Sequence, residues 1–415
     1  MSFIRNNKNR LSLLLISVML VSISLYLYSC GGGGFSDPKV EATSTSVLIS
    51  PQTLNGWITN GYGTDQYGYT KVVVFDVTSQ AAYIKGHVPG AYLMDSNTDV
   101  STTRSDGVSD TVSDVATKAI MDNVIQRTGV DEKTVVVFTT DSGAGNLMAL
   151  GRAYFNFRYW GFPKERLRVL DGFNDTYSKA GFTLDTTVPP APPASTYSVC
   201  QLQTQSDRFR APLAEMIAVA EDNDPKTVVL DARSPNEYNG VAGSTAGPTG
   251  ASGGYVAFEG HVRTAVSQNY TTLLGADGRL LPKNDLISLF NAAGASSSTM
   301  AYSYCRTSYR AAITFLALDG VLGWPAKIYD GAWIEWGQMA DQAEDGALAT
   351  DSPWRTDLAA RSEAITYNKE AGKTVYKLTG ANSYALRADM VNVTDSSICG
   401  GVSGTPGGSP VAPGY

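Results

Sequence analysis

The feature that most constrains this chain is a plan written along it twice. Val72 to Phe75 form a short β-branched run that ends at Asp76, followed by polar Ser79, a helical turn to Tyr83, and Gly86-His87-Val88-Pro89-Gly90-Ala91. Thr227 to Leu230 end at Asp231 in the same manner, followed by Arg233, Glu237 and Tyr238 and, after an insertion, by Gly260-His261-Val262-Arg263-Thr264-Ala265. Both copies then continue alike. Thr134 to Phe138 read as a buried strand leading into a helix around Leu147 to Tyr159, with Leu167 to Leu170 and Asp171-Gly172 behind it. Met300 to Tyr304 lead into Arg310 to Leu318, with Lys327 to Tyr329 and Asp330-Gly331 behind them. Strand, helix and strand in this alternation require parallel βαβ units. The sequence therefore predicts an α/β protein made by internal duplication of a unit of about 150 residues, an ordinary domain size.

With 415 residues, 43% of them hydrophobic, the chain has apolar material for two such cores. Val188-Pro189-Pro190-Ala191-Pro192-Pro193 can continue neither a helix nor a central strand, so it marks the boundary as a stiff, exposed linker. The predicted organisation is a first domain over residues 49–187, the linker over 188–197, a second domain over 198–345, and an appendage with a low-complexity tail over 346–415. Gly240 to Gly254, rich in Gly, Ser and Thr, is an insertion loop in the second domain. A net charge of −7 argues against nucleic acid as the main partner, because neutralising phosphates needs a basic surface.

At the N-terminus Arg5, Lys8 and Arg10 precede an apolar run from Leu11 to Tyr28, and Leu27-Tyr28-Ser29-Cys30 places a cysteine where cleavage would fall. This resembles a bacterial lipoprotein signal over residues 1–29, with Cys30 as the acylated first residue and residues 30–48, opening with Gly31 to Gly34, as a flexible tether. The alternative is a transmembrane helix. The resemblance implies an exported lipoprotein of the cell envelope, held to the membrane by its lipid alone. Gly31 after the lipidated cysteine leans towards the outer membrane, facing periplasm or exterior. Outside the cytoplasm three further thiols, Cys200, Cys305 and Cys399, leave one odd. The pairing most consistent with the chemistry below is a Cys200–Cys399 bridge stapling the C-terminal segment to the second domain, with Cys305 free.

Cys305 directly follows a buried strand and precedes a helix, where the N–H groups of the turn and of the helix N-terminus converge and stabilise a thiolate. The loop Cys305-Arg306-Thr307-Ser308-Tyr309-Arg310 adds two guanidinium groups that would draw in an anionic substrate. The alternative reading is a buried structural cysteine.

Here the chain resembles the rhodanese family. Tyr83-Ile84-Lys85-Gly86-His87-Val88-Pro89-Gly90-Ala91 is similar to the motif of that family's first half, and Ala326-Lys327-Ile328-Tyr329-Asp330-Gly331-Ala332-Trp333-Ile334-Glu335-Trp336 to its C-terminal motif. With Asp231-Ala232-Arg233, Gly260-His261-Val262-Arg263 and the Cys305 loop in order, the resemblance covers roughly residues 65 to 340. It implies two rhodanese-like domains, each a parallel sheet flanked by helices, the first non-catalytic and the second catalytic. The first domain fits, since Thr139 in Phe138-Thr139-Thr140-Asp141 stands where the second has its cysteine, and a hydroxyl without an activating base cannot form a persulfide.

The resemblance further implies a sulfurtransferase that moves sulfane sulfur from thiosulfate or a similar small anion to a thiol, cyanide or protein acceptor, through a persulfide on Cys305 and without a cofactor. Arg310 is expected to bind the donor's oxyanion end, and Arg306 to tie the loop to an acidic partner. Asp231 and Arg233 are expected to pair structurally and orient the loop. Two departures bear on the donor: Glu237 stands where the family has a thiosulfate-holding arginine, and Thr307 where it has a basic residue. His87 and His261 lie in the Gly-His turns rather than beside a second ligand, so no metal site is predicted, and Trp333 and Trp336 read as core. Two rival functions are an exported relay or scaffold for sulfur or selenium species, with a protein partner in the envelope, and a cysteine-dependent phosphatase sharing the fold. The phosphatase loop is one residue longer than the stretch between Cys305 and Arg310.

Overall fold

A computed structural model describes residues 46–105, 110–202, 206–222, 224–241, 260–337, 339–340 and 376–377. The leader, Cys30, nearly all of the tether, the insertion loop beyond Val241 and, apart from Tyr376 and Lys377, the appendage with Cys399 lie outside the described residues.

Ten strands form two five-stranded sheets, parallel throughout. In the first half β1 (Leu48–Ile49), β2 (Lys71–Thr78), β3 (Tyr92–Asp95), β6 (Thr134–Thr139) and β7 (Leu167–Leu170) lie in the order β1-β7-β6-β2-β3. Between β3 and β6, β4 (Thr102–Ser105) and β5 (Asp110–Asp114) form an antiparallel hairpin. In the second half β8 (Arg210–Ala211), β9 (Thr227–Asp231), β10 (Val266–Ser267), β11 (Met300–Tyr304) and β12 (Ala326–Tyr329) lie in the order β8-β12-β11-β9-β10. The two orders coincide strand for strand. Helices on both faces bury β2 and β6, which is why they read as continuous Val and Phe runs rather than alternating patterns.

Register makes the duplication exact enough to assign equivalent residues. Asp76 lies opposite Thr139, and Asp231 lies opposite Tyr304. The position equivalent to Cys305 is therefore Thr140, one residue beyond the expected Thr139. The backbone agrees: Asn174 N–H donates to Thr140 O at 2.9 Å, as Trp333 N–H donates to Cys305 O at 2.8 Å. The expectation slipped because β6 runs one residue past its apolar stretch.

The Gly-His turns are duplicated at atomic detail. His87 stacks on Tyr83, in α1 (Gln80–Tyr83), with centroids 3.9 Å apart, and His261 on Tyr238, in α3 (Pro235–Tyr238), at 3.8 Å. Each imidazole Nδ1 also meets its tyrosine's carbonyl oxygen, at 2.9 and 2.8 Å. Each tyrosine hydroxyl then closes the turn, on Ala91 O at 2.6 Å and on Ala265 O at 2.7 Å.

The halves meet along equivalent helices, α2 (Ala144–Tyr159) and α4 (Tyr309–Phe315), the latter continuing as wide π turns over Leu316–Leu322. Gly151 allows the close approach: a Cβ there would sit 2.9 Å from the carbonyl carbon of Ala312. Phe155 meets Phe315 edge-on at 5.3 Å. Buried ion pairs cross the same seam, Arg158 Nε to Asp319 at 2.9 Å and Arg152 Nη1 to Asp330 at 2.9 Å. One hydrophobic cluster runs through both halves and includes Cys305. The proline-rich stretch is laid against the first half rather than standing clear of it, with His87 Nε2 at 3.3 Å from Thr187 O and Tyr92 donating to Pro190 O.

Candidate active site

Cys305 directly follows β11, and Arg306, Thr307 and Ser308 carry the chain into α4. Ser308 adopts a left-handed conformation, φ 63° and ψ −2°, unusual for a residue with a Cβ. Its fully buried hydroxyl sits within hydrogen-bond distance of Tyr329 O at 3.0 Å and Asp330 O at 2.8 Å, contacts that hold this strained turn. The loop's own carbonyls face the start of α5 (Ala332–Trp336), where Trp333 N–H donates to Cys305 O at 2.8 Å and Ile334 N–H to Arg306 O at 3.1 Å. A left-handed residue ahead of a right-handed helix turns successive N–H groups to one side, the arrangement that receives anions.

Behind the loop Asp231 and Arg233 form the expected pair, with Arg233 Nε 2.9 Å from one carboxylate oxygen and Nη2 2.6 Å from the other. Tyr304 donates to Asp231 at 2.7 Å and accepts from Val262 N–H at 3.0 Å. The guanidinium lies near both the Tyr304 ring, at 5.5 Å, and the Trp333 ring, at 4.4 Å. Burial opposes its charge, yet Asp231 holds the Arg233 pKa above its ordinary value. Trp333 and Trp336 are fully buried.

Arg310 is not placed to receive a donor's oxyanion end in the way the sequence predicts. Its Nη1 and Nη2 engage the two oxygens of Glu237 at 2.6 and 2.8 Å. Glu237 also accepts from Ser234 N–H at 3.1 Å and from the Ser234 hydroxyl at 2.9 Å, so it closes the capping box of α3. Burial opposes its charge, but Arg310 and then Arg233 hold its carboxyl down at about 2. For Arg310, burial is likewise outweighed, chiefly by the hydrogen-bonded Glu237, so its pKa is raised.

Cys305 is a free cysteine, but it is 1% exposed rather than open at the mouth of a cleft. It belongs to an apolar cluster that also takes in the first half. That half also reaches the loop directly. Ser101 Oγ lies 3.1 Å from the hydroxyl of Tyr309, and the Arg152 guanidinium lies 5.8 Å from the Tyr309 ring. Asp330, whose carbonyl anchors Ser308, has its carboxylate bound by Arg152 at 2.9 Å, by Val115 N–H at 2.7 Å and by Arg210 at 3.2 Å. Sequence reading missed Tyr304, Arg152 and Ser101. The Asp330-Gly331 repeat was the one signal pointing to this anchor.

Arg306 and Thr307 are half-buried in the loop. Cys200 is disulfide-bonded; Cys30 and Cys399 lie outside the described residues. Among the described residues no group of three or more His, Cys, Asp and Glu side chains is placed to hold a metal.

The rhodanese-like domain family matches residues 64–180. The sulfur carrier protein TtuD of Thermus thermophilus is 27% identical over 271 residues, 65% of this chain and 89% of that protein. A putative thiosulfate sulfurtransferase of Haloferax volcanii is 26% identical over 302 residues, 71% of this chain and 94% of that one. Among solved structures, the anaerobic ergothioneine biosynthesis enzyme from Chlorobium limicola shares the fold, with a TM-score of 0.58 at 19% identity, covering 70% of this chain and 68% of that one.

Proposed function

We propose that this chain, a rhodanese-like sulfurtransferase, carries the transferred sulfur on Cys305. The Cys305 thiolate attacks the outer sulfur of thiosulfate or a similar sulfane donor. The donor's S–S bond breaks, sulfite leaves with the electron pair, and a Cys305 persulfide forms. A thiol, cyanide or protein acceptor then attacks the outer persulfide sulfur and returns the thiolate, which is covalent catalysis in two steps. The observation that carries this reading is the strained Cys305–Ser308 turn, fixed by Ser308 on Tyr329 and Asp330 and by α5 on the two loop carbonyls. Asp231 and Arg233 orient the turn from behind, and Ser101 and Arg152 of the first half press on it from the front. Arg310, committed to Glu237, supports the loop rather than cradling an oxyanion, which also weighs against a phosphatase.

A relay reading is favoured by the burial of Cys305, which would shield a stored persulfide from water, and by the similarity to a sulfur carrier protein. The proposal extends to the anchor: Cys30 carries lipid, and the two α/β halves are held at the cell envelope on the glycine-rich tether.

The test is to incubate the full-length protein with cyanide and either thiosulfate or an organic persulfide and to follow thiocyanate. Thiocyanate forms with at least one donor, and the Cys305→Ser variant forms none. No thiocyanate with either donor, but one added sulfur on Cys305, would favour the relay; neither outcome would end the sulfur-transfer reading.

A further inference from the structure

We propose that Glu237 selects the charge of the sulfur donor: by neutralising Arg310 beside Cys305, it turns the site against dianions such as thiosulfate and towards donors of lower charge, alkyl thiosulfonates or hydropersulfides. The inference rests on the reading of Cys305 as the sulfur-carrying group.

Both terminal nitrogens of Arg310 are taken by the two Glu237 oxygens at 2.6 and 2.8 Å. Glu237 cannot swing away cheaply, because it is 5% exposed and one of its oxygens also holds Ser234 N–H and the Ser234 hydroxyl. Arg233, the next cation on this side, is spent in the same way on Asp231. The two guanidinium groups behind the loop thus arrive with their own carboxylates. Arg310, at the end of the Cys305 loop, presents a neutral pair rather than a cation. A dianion therefore forfeits twice the attraction that a monoanion loses when that cation is cancelled.

For a thiosulfonate the step balances without any further reagent. The Cys305 thiolate forms a bond to the outer sulfur, the donor's S–S bond breaks and a sulfinate leaves with the electron pair, so the oxidation of the Cys305 sulfur is matched by reduction of the donor and no external oxidant is needed. A hydropersulfide reacts in the same way with a thiolate as leaving group.

The experiment measures single-turnover persulfidation of Cys305 in the full-length protein with thiosulfate, a dianion, and with methanethiosulfonate, a monoanion of similar size. The wild type should favour methanethiosulfonate. Glu237→Gln removes the charge at nearly constant volume and keeps one of the two hydrogen bonds from Arg310. It should shift the rate ratio towards thiosulfate about tenfold, the effect of one additional unit charge at roughly 10 Å and an effective dielectric of about 20. The double variant Glu237→Gln/Arg310→Met removes the freed cation as well and should return the ratio towards that of the wild type. Persulfidation with an unchanged ratio in both variants would overturn the role of Glu237 while leaving sulfur transfer standing. Persulfidation by neither donor in any variant would instead overturn sulfur transfer at Cys305, and this inference with it.

Discussion

The two halves are built on one strand order, yet they fill the same positions with opposite chemistry. In the second half Asp231 is answered by Arg233, Arg233 lies against Tyr304 and Trp333, and Cys305 directly follows the strand. At the equivalent positions the first half has Asp76, Thr78, Thr139, Asn174 and Thr140. Among the described residues no guanidinium pairs with Asp76. Asn174 Nδ2 donates to one carboxylate oxygen at 2.8 Å, while the other oxygen, the Thr78 hydroxyl and the Asn174 carbonyl are buried without hydrogen-bond partners among the described residues. Duplication kept the backbone in both halves and kept the charged apparatus in one. The first half instead supplies the wall, Arg152, Ser101 and the backbone of Val115, that fixes the loop of the second.

The sharpest way to break this division of labour is to cut the wall. Arg152→Met removes one partner of the buried Asp330 carboxylate, leaving it Arg210 and the Val115 N–H, and should cost about 3 kcal/mol, the low end for breaking a buried pair. Denaturant titration would measure the cost. Sulfur transfer should fall as well, because Asp330 also anchors Ser308. If activity survived intact, the first half would not be positioning the loop.

The two halves should also respond to pH with opposite signs. Burial pushes the Asp76 carboxyl up from 3.8 to about 7. A carboxyl raised on folding binds its proton more tightly in the native state, so its contribution is full below about pH 4 and is lost as pH rises to about 7. At about 1.4 kcal/mol per unit, that loss is on the order of 4 kcal/mol. Asp76→Asn should flatten the stability curve in this window and raise stability at pH 8. Glu237 is held at about 2 against an ordinary 4.5, so its contribution is present above about pH 4.5 and is lost as the solution is acidified towards pH 2. That loss is roughly 3 kcal/mol, and Glu237→Gln should remove it. Stability measured from pH 3 to pH 8 on wild type and both variants separates the contributions.

The smallest expected effect sharpens the comparison most. Thr140→Cys in a Cys305→Ser background puts a thiol at the equivalent turn of the first half, with Asp141 and Gly145 where the second half has Arg306 and Arg310. Stability should change by less than about 1 kcal/mol, and thiocyanate formation should stay at the level of Cys305→Ser alone. Recovered activity would mean that the turn suffices without its charged surroundings.

Much of this was legible in the chain. Val and Phe runs punctuated by Asp, and Gly-His and Asp-Gly repeated in the same order, are local signals, so the strands over Leu167–Leu170 and Met300–Tyr304 were readable to the residue. Cys305 was legible as the exceptional residue because it interrupts a strand-to-helix turn. The fate of Arg310 was not, because it is decided by a carboxylate 73 positions earlier that only the closed sheet brings near. Nor was the burial of Cys305, since its cluster draws on residues of both copies of the repeat.

The account stands on sulfur being held by that one cysteine. Mass analysis of the wild-type protein after exposure to a sulfane donor and removal of excess reagent should find a single added sulfur on the peptide containing Cys305, discharged by cyanide. If the peptide stayed unmodified with every donor tried, or if the sulfur were found on Cys200 or Cys399 instead, the account would be contradicted.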